Sequence, residues 1–296
     1  MGTGQLLADG VSLLNRAAED LWLTAQPRWP TLSIEVLPET VSTNAHALAL
    51  GRAGAVEPIV IVAWSQIAGR GRAGRSWHSG PGGALTMSLA LPMDLTNIPG
   101  GGALSLAAGV MVARALNQRL APAGAAASPV RLKWPNDLWA QGRKLGGILI
   151  EAVASPALPA HQRWVVIGLG LNLAGTGAGD ASTRVDLTQL SHEGLIHGAL
   201  TPAQALSLAA PALLDGLSTF AAEGFAAFKP DYAQLDALAG QPVALWRQGW
   251  SEAAPDVVGQ ALGVDEQGAL LIHDDQGQTT PWTVGEVSVR MRAHPL

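Results

Sequence analysis

Apolar positions recur along the chain with two periods, which alternate up to about residue 240, and only the shorter one continues beyond it. Residues 1–30 place Leu6, Leu7, Val11 and Leu14 at helical spacing and stop at Pro27 and Pro30, which predicts a short helical appendage. Residues 32–37 read as a strand, Ser42 is a helix cap for a segment through residue 50, and the β-branched run at 58–64 predicts a buried strand. A Gly/Arg loop follows, then a strand at 84–91, a long Ala/Leu/Val helix at 103–120 and an Ala/Pro/Gly surface connection at 121–129. Three strand-length apolar segments at 130–134, 145–153 and 164–173 are separated by turn residues Asn136, Asp137 and Gly142 and by a Pro/Ala stretch at 154–160. Residues 201–227 are helical with a kink expected at Pro211, and 231–238 make a second short helix. After Gly240 only short strand candidates remain, at 243–246, 257–264, 269–273 and 283–289. The pattern predicts an α/β domain over 31–238, its mixed sheet flanked by helices, followed by a small β-barrel over 239–296. No internal repeat of fixed period is present.

Composition narrows the function classes. Apolar residues make up 48% and charged residues 14% of the 296 residues, enough for a core and too few charges for a disordered chain. A net charge of −5 disfavours a general nucleic-acid coat. The absence of cysteine excludes disulfides, thiolate metal sites and cysteine nucleophiles, and with no basic or lipidation signal at the N-terminus it makes a cytoplasmic location the expectation. The apolar run at 103–112 is too short to span a bilayer, which needs about 20 residues.

The candidate chemistry lies in four places. Gly69 to Arg75 contains G-x-G-x-x-G, but Ser76 to Gly83 cannot open a helix, so neither nucleotide fingerprint of that form applies. Arg70, Arg72 and Arg75 remain as fork donors for phosphate or carboxylate oxygens, with a solvated loop or an RGG-like RNA tract as alternatives. Lys133 stands in an apolar strand before the Pro135–Asn136–Asp137 turn. It either pairs with an anionic ligand or shares a solvent face with Arg131 by simple alternation. Gly146 and Gly147 allow close ligand approach or mark a bulge, and Asn172, after Gly168 and Gly170, either contacts a ligand or caps a turn. The seven histidines form no metal-binding spacing, so no side-chain metal site is expected. Of the ten tryptophans, Trp77 beside the arginines is the one placed to stack on a ligand.

Read in order, Ser42-Thr43-Asn44, Gln66 with GRGRAGRSW, KWPNDLW at 133–139, RKLGGILIE at 143–151, IGLGLNL at 167–173 and PWTVGEVSVR at 281–290 resemble the biotin protein ligase (biotin–[acetyl-CoA-carboxylase] ligase) family. The resemblance covers about 32–292. It implies a catalytic α/β domain with a C-terminal SH3-like barrel, an ATP-dependent ligase that forms biotinyl-5′-adenylate, and transfer of biotin to a lysine of a carrier domain. Val41 replaces the usual acidic residue before Ser-Thr-Asn, and Ala73 stands where a basic residue is common.

Carried over by position, Ser42, Thr43, Asn44 and Gln66 would bind the biotin ring system, and Gly147 would allow its close approach. Arg70, Gly71 and Arg72 would close over biotin and its adenylate, with Arg75 and Arg72 on the ATP phosphates. Lys133 would bridge the biotin carboxylate and the α-phosphate, while Trp77 and Asn172 would touch the adenylate. Lys133 and Arg72 are thus the implied catalytic pair, and Mg²⁺ would be bound with ATP, with no side-chain ligand assigned to it. Glu286 and Arg290 are open as contacts of the barrel with ATP or carrier. A lipoate or octanoate ligase or transferase of the same fold is the nearest alternative. A biotin-responsive DNA repressor is a second, disfavoured because only about 30 residues precede the matching region, so no specific DNA binding is expected. A homodimer is compatible with the sequence.

Overall fold

The computed structural model describes residues 3–94, 101–122, 128–175, 183–247, 254–283 and 288–291, with backbone alone at 3, 101–102 and 288–291. Helix α1 (Thr3–Ala25) leads into strand β1 (Ser33–Thr40), helix α2 (Thr43–Arg52) and strand β2 (Ile59–Gln66). A hairpin of two-residue strands, β3 (Gly69–Arg70) and β4 (Ser76–Trp77), carries the arginines. Strand β5 (Ala84–Asp94), helix α3 (Gly101–Leu120) and strands β6 (Arg131–Lys133), β7 (Asp137–Ala140), β8 (Arg143–Val153) and β9 (Gln162–Asn172) follow. Helices α4 (Leu187–His192), α5 (Pro202–Glu223) and α6 (Lys229–Leu235) precede the C-terminal strands β10 (Pro242–Trp246), β11 (Val257–Val264), β12 (Leu270–Asp274), β13 (Thr279–Trp282) and β14 (Ser288–Met291).

The large sheet has the order β1-β2-β5-β9-β8-β7-β6, in which β1 and β2 are parallel and every other pair antiparallel, giving the expected mixed sheet. Strand β5 shows how its two faces differ. Leu85, Met87, Leu89, Leu91 and Met93 enter the main core, while the alternate positions Thr86, Ser88 and Ala90 are small or polar. The first face is covered by α1, α3 and α5. On the second face, α2 packs Ala47 and Leu48 against Ile61, Ala90, Trp164 and Val166, and the rest of that face is left for a cavity.

Several local outcomes differ from the pattern reading. Residues 1–30 are more than an appendage, since α1 buries Leu14, Ala17, Ala18 and Leu21, each such leucine contributing about 1.5–3 kcal/mol. Helix α5 runs through Pro211 within the helical segment expected at 201–227, held at its start by a Thr201–Gln204 capping box. The expected turn around Asn136–Asp137 contains strand β7, and α4 begins where Asp186 caps Gln189 N–H at 2.8 Å. The strand expected at 283–289 is represented by β13 and β14 on either side. Residues 284–287, Glu286 among them, lie outside the described residues, as do the Arg290 side chain and 123–127 of the expected surface connection.

The five C-terminal strands form one antiparallel sheet in the order β13-β12-β11-β10-β14. It shares the main core, for Val243, Leu245, Ala261, Val264, Leu270 and Ile272 belong to the same buried cluster as the α/β part. The junction is polar at one point. Asp236 is wholly buried; one carboxylate oxygen accepts from Leu238 N–H at 2.8 Å, and its backbone carbonyl accepts from Arg131 Nη2 at 2.5 Å. Burial raises its pKa to about 6, against the opposing pull of the Leu238 N–H and the Arg131 charge. Burial, with Asp236 beside it, also raises the Tyr232 phenol.

Candidate active site

The cavity is a consequence of one cross-strand row. Lys133, Asp137, Gly147, Gly170, Thr86 and Ala63 are successive register partners across β6, β7, β8, β9, β5 and β2, so all point to the same face. In the middle of the row the side chains shrink to hydrogen atoms at Gly147 and Gly170. A space of about 620 Å³ opens above them. A Cβ at Gly170 would lie 2.7 Å from the Trp77 ring, and one at Gly168 would lie 2.1 Å from Asn44 Oδ1. Glycine in the IGLGLN strand is therefore required by close approach of Trp77 and Asn44 to the sheet.

One end of the cavity is a neutral hydrogen-bonding wall built at the start of α2. Ser42 caps the helix, its Oγ accepting from Ala45 N–H at 3.4 Å. Gln66 Oε1 accepts from Thr43 N–H at 2.9 Å, and the Thr43 hydroxyl is 3.4 Å from the same oxygen. Asn44 Nδ2 donates to Leu149 O at 3.3 Å and to Glu151 Oε2 at 2.9 Å, while its Oδ1 accepts from the buried Ser88 hydroxyl at 2.6 Å. Both Asn44 amide protons are thus committed, and the group that it can offer a ligand is the second lone pair of Oδ1.

The other end is cationic. The 133–137 turn is fixed by Trp134 Nε1 donating to Gly268 O at 3.0 Å, Ser105 Oγ donating to Pro135 O at 2.8 Å and Asn136 Nδ2 donating to Ile148 O at 2.7 Å. Lys133 reaches the cavity with its ammonium 4.6 Å over the Trp139 ring, so alternation with Arg131 and a lining position both hold. A second lysine, Lys144, lines the same wall and pairs with Asp137 Oδ1 at 2.6 Å. Its placement depends on a bulge. The register runs Leu138 to Gly146 but Trp139 to Lys144, so Leu145 is the extra residue, and Lys144 falls on the face of Gly147 despite odd spacing.

The hairpin arches over this end. Gly71 N–H donates to Arg75 O at 2.7 Å, and Ala73 (φ 54°) and Gly74 (φ 70°) form its left-handed tip. Arg72 Nη1 donates to Asn136 Oδ1 at 3.3 Å; desolvation lowers its pKa, opposed by Asp137 and reinforced by Arg75, and it stays charged at neutral pH. Arg70 and Arg75 are more exposed.

Of the residues singled out from the sequence, Ser42, Thr43, Asn44, Gln66, Arg70, Gly71, Arg72, Arg75, Trp77, Lys133 and Gly147 all line the cavity. Asn172 does not: its Nδ2 donates to Val185 O at 3.1 Å and lies 3.5 Å from Lys144 O, which makes it a brace behind Lys144. Sequence reasoning missed Lys144, Asp137, Asn136, Ser88 and Glu151. The available signal was the charged residues inside RKLGGILIE: period-two alternation from Gly147 places Glu151 on the cavity face but assigns Lys144 to the wrong one. Among the described residues no three or more His, Asp or Glu side chains gather to hold a metal.

A mixed α/β sheet joined to a small C-terminal antiparallel sheet, with one polar-to-cationic cavity on the larger sheet, is the arrangement to be compared with known proteins. Residues 36–172 match the family model described as the biotin/lipoate A/B protein ligase family, and residues 253–290 match the biotin protein ligase C-terminal domain, which is SH3-like. The chain is 34% identical over 259 residues to the bifunctional ligase/repressor BirA of Escherichia coli (strain K12), covering 87% of this chain and 74% of that protein. It is 34% identical over 245 residues to a biotin–[acetyl-CoA-carboxylase] ligase of Paracoccus denitrificans, covering 82% and 95%. The fold is shared with a biotin protein ligase from Aquifex aeolicus solved in complex with biotin and ATP, at a TM-score of 0.66 and 23% identity over 88% of this chain and 99% of that one. The chain belongs to the biotin protein ligase family.

Proposed function

We propose that this chain activates biotin with ATP to biotinyl-5′-adenylate and transfers it to a lysine of a biotin carboxyl carrier domain. The observation that carries the reading is the polarity of one cavity: neutral donors and acceptors at the α2 end, glycine floor in the middle, and Lys133, Lys144 and Arg72 at the far end. That order suits an uncharged ureido ring at one end and a carboxylate meeting a phosphate at the other. Asn44 Oδ1 would accept a ureido N–H, with the Ser42 hydroxyl and the Gln66 amide as donors to the ureido oxygen.

In the first half-reaction a biotin carboxylate oxygen attacks the α-phosphorus, the new C–O–P bond forms, and pyrophosphate leaves with the electrons of the broken P–O bond. Two anions must approach, and fixed cations offset their repulsion and the charge that builds on the phosphorus. The resemblance gave the bridging role to Lys133, whereas the geometry favours Lys144. Its ammonium lies on the carboxylate path beside Gly147, whose Cβ position is 3.3 Å from Nζ, and it is tied to Asp137, which Arg72 also senses. Lys133, over Trp139, would supply a second charge from the outer strand. Arg75 and Trp77 would receive the phosphates and adenine, and the hairpin would keep water from the mixed anhydride. Mg²⁺ would arrive with ATP and offset pyrophosphate charge. In the second half-reaction the carrier lysine amine attacks the acyl carbon, an amide forms, AMP leaves, and the ammonium proton passes to solvent.

Pyrophosphate exchange into ATP, measured with biotin, lipoate and octanoate in parallel, tests the reading. Exchange dependent on biotin is expected; exchange with lipoate or octanoate alone would move the chain to the alternative acyl class.

A further inference from the structure

We propose that Glu151 is a positioning residue that links the Asn44 end of the cavity to closure of the arginine hairpin, a role that rests on the biotin reading above. Its two carboxylate oxygens face different elements. Oε2 accepts from Asn44 Nδ2 at 2.9 Å, and Oε1 lies 3.7 Å from Arg70 Nη2 on β3. Of the two acceptors that Asn44 Nδ2 meets on β8, Glu151 Oε2 is the nearer, at 2.9 Å against 3.3 Å for Leu149 O, and it carries the charge. With it, the amide nitrogen is turned to β8 and Oδ1 is turned to Ser88 and the ligand. The same charge holds the hairpin at its base, while Arg72 holds it nearer the tip through Asn136. Glu151 also borders a second space of about 440 Å³ lined by hairpin residues together with Ile67, His78 and Leu149.

Glu151→Gln separates the two duties, because its amide oxygen still accepts from Asn44 but carries no charge for Arg70. The Arg70 side chain is 55% exposed and Glu151 23%, so the ion pair is a modest latch whose loss changes an opening equilibrium about two- to fivefold. The full-length chain, free of ligand, is digested with trypsin, and nicking after Arg70, Arg72 and Arg75 is followed by mass spectrometry alongside biotin affinity by calorimetry. Nicking reports the open population when cleavage is slow.

Glu151→Gln is expected to speed nicking after Arg72 and Arg75 two- to fivefold while biotin affinity stays within about twofold. Glu151→Ala is expected to speed nicking equally and to weaken biotin about tenfold. Arg70→Gln should speed nicking after Arg72 and Arg75 as much as Glu151→Gln does, and the double variant should add nothing further at those two sites. These two variants decide the latch even where Glu151→Ala fails to fold. Wild-type nicking in Glu151→Gln, additive effects in the double variant, or equal loss of biotin binding by Gln and Ala would each overturn the proposal. A wild-type chain that does not bind biotin would instead overturn the functional reading, and the nicking cycle would still decide whether Glu151 holds the hairpin.

Discussion

Replacing Lys144 by alanine removes one of the cations at the reactive end of the cavity while leaving Lys133 and Arg72 in place. Lys144, Lys133 and Arg72 against Asp137 sum to a formal charge of +2, which the variant lowers to +1, with Arg75 and Arg184 lining the same cavity. One unit charge facing another at about 4 Å in a protein-surface environment interacts by about 4 kcal/mol. Removing one preorganised donor from developing transition-state charge costs about 2.7–4 kcal/mol, a factor of 10²–10³ in rate. The fold should hardly notice. The Lys144–Asp137 pair has side chains 32% and 20% exposed, so its loss should cost about 1 kcal/mol of stability. Single-turnover formation of biotinyl-adenylate, with thermal melting as a control, separates the two effects. Lys144→Ala should form adenylate 10²–10³ times more slowly, with Lys133→Ala less affected. A Lys144→Ala rate within about threefold of wild type, together with collapse in Lys133→Ala, would refute the reasoning and return the bridging role to Lys133.

Other outcomes follow from particular contacts. Gly168→Ala puts a methyl group 2.1 Å from Asn44 Oδ1, so Asn44 must move, and biotin binding by calorimetry should weaken at least about tenfold with the sheet intact. Trp134→Phe loses the hydrogen bond to Gly268 O between the 133–137 turn and the C-terminal sheet; about 1 kcal/mol should go, read as a melting shift of about 2–4 °C. Asp236 binds its proton more tightly folded than unfolded, because its pKa is raised from 3.8 to about 6. Its contribution to stability is therefore full below the unfolded pKa and is lost as pH rises through about 6, on the order of 3 kcal/mol in all. Denaturant unfolding across that window should show this fall, and Asp236→Asn, which retains an acceptor for Leu238 N–H, should flatten it.

Much of this molecule could be read from its pattern because long periodic segments specify their faces locally. Strands β2, β5, β8 and β9 and helices α2 and α3 lie close to where the apolar runs predict them, and the Ser42 cap follows from its own side chain. The 133–137 turn was visible, but not the strand that follows it, because β7 is only four residues long and is specified by pairing on both sides. Lys144 was hidden by the bulge at Leu145, which reverses the face that spacing assigns to it. Ser88 and Glu151 carry no motif of their own; they reach Asn44 only because β5, β9 and β8 lie side by side. Asn172 illustrates the opposite case, a motif residue whose hydrogen bonds to backbone carbonyls make it a support. Both open readings of Gly146-Gly147 hold, since the bulge sits next to Gly146 and Gly147 lines the cavity.

One cavity activates biotin as its adenylate and then passes it to a carrier lysine. Incubation of the full chain with biotin, ATP, Mg²⁺ and a biotin carboxyl carrier domain, followed by intact mass measurement of the carrier, tests it most directly. A single biotinyl addition to the carrier is expected, one that requires ATP and disappears when the acceptor lysine is replaced. An unmodified carrier, or modification only when lipoate or octanoate replaces biotin, would contradict it.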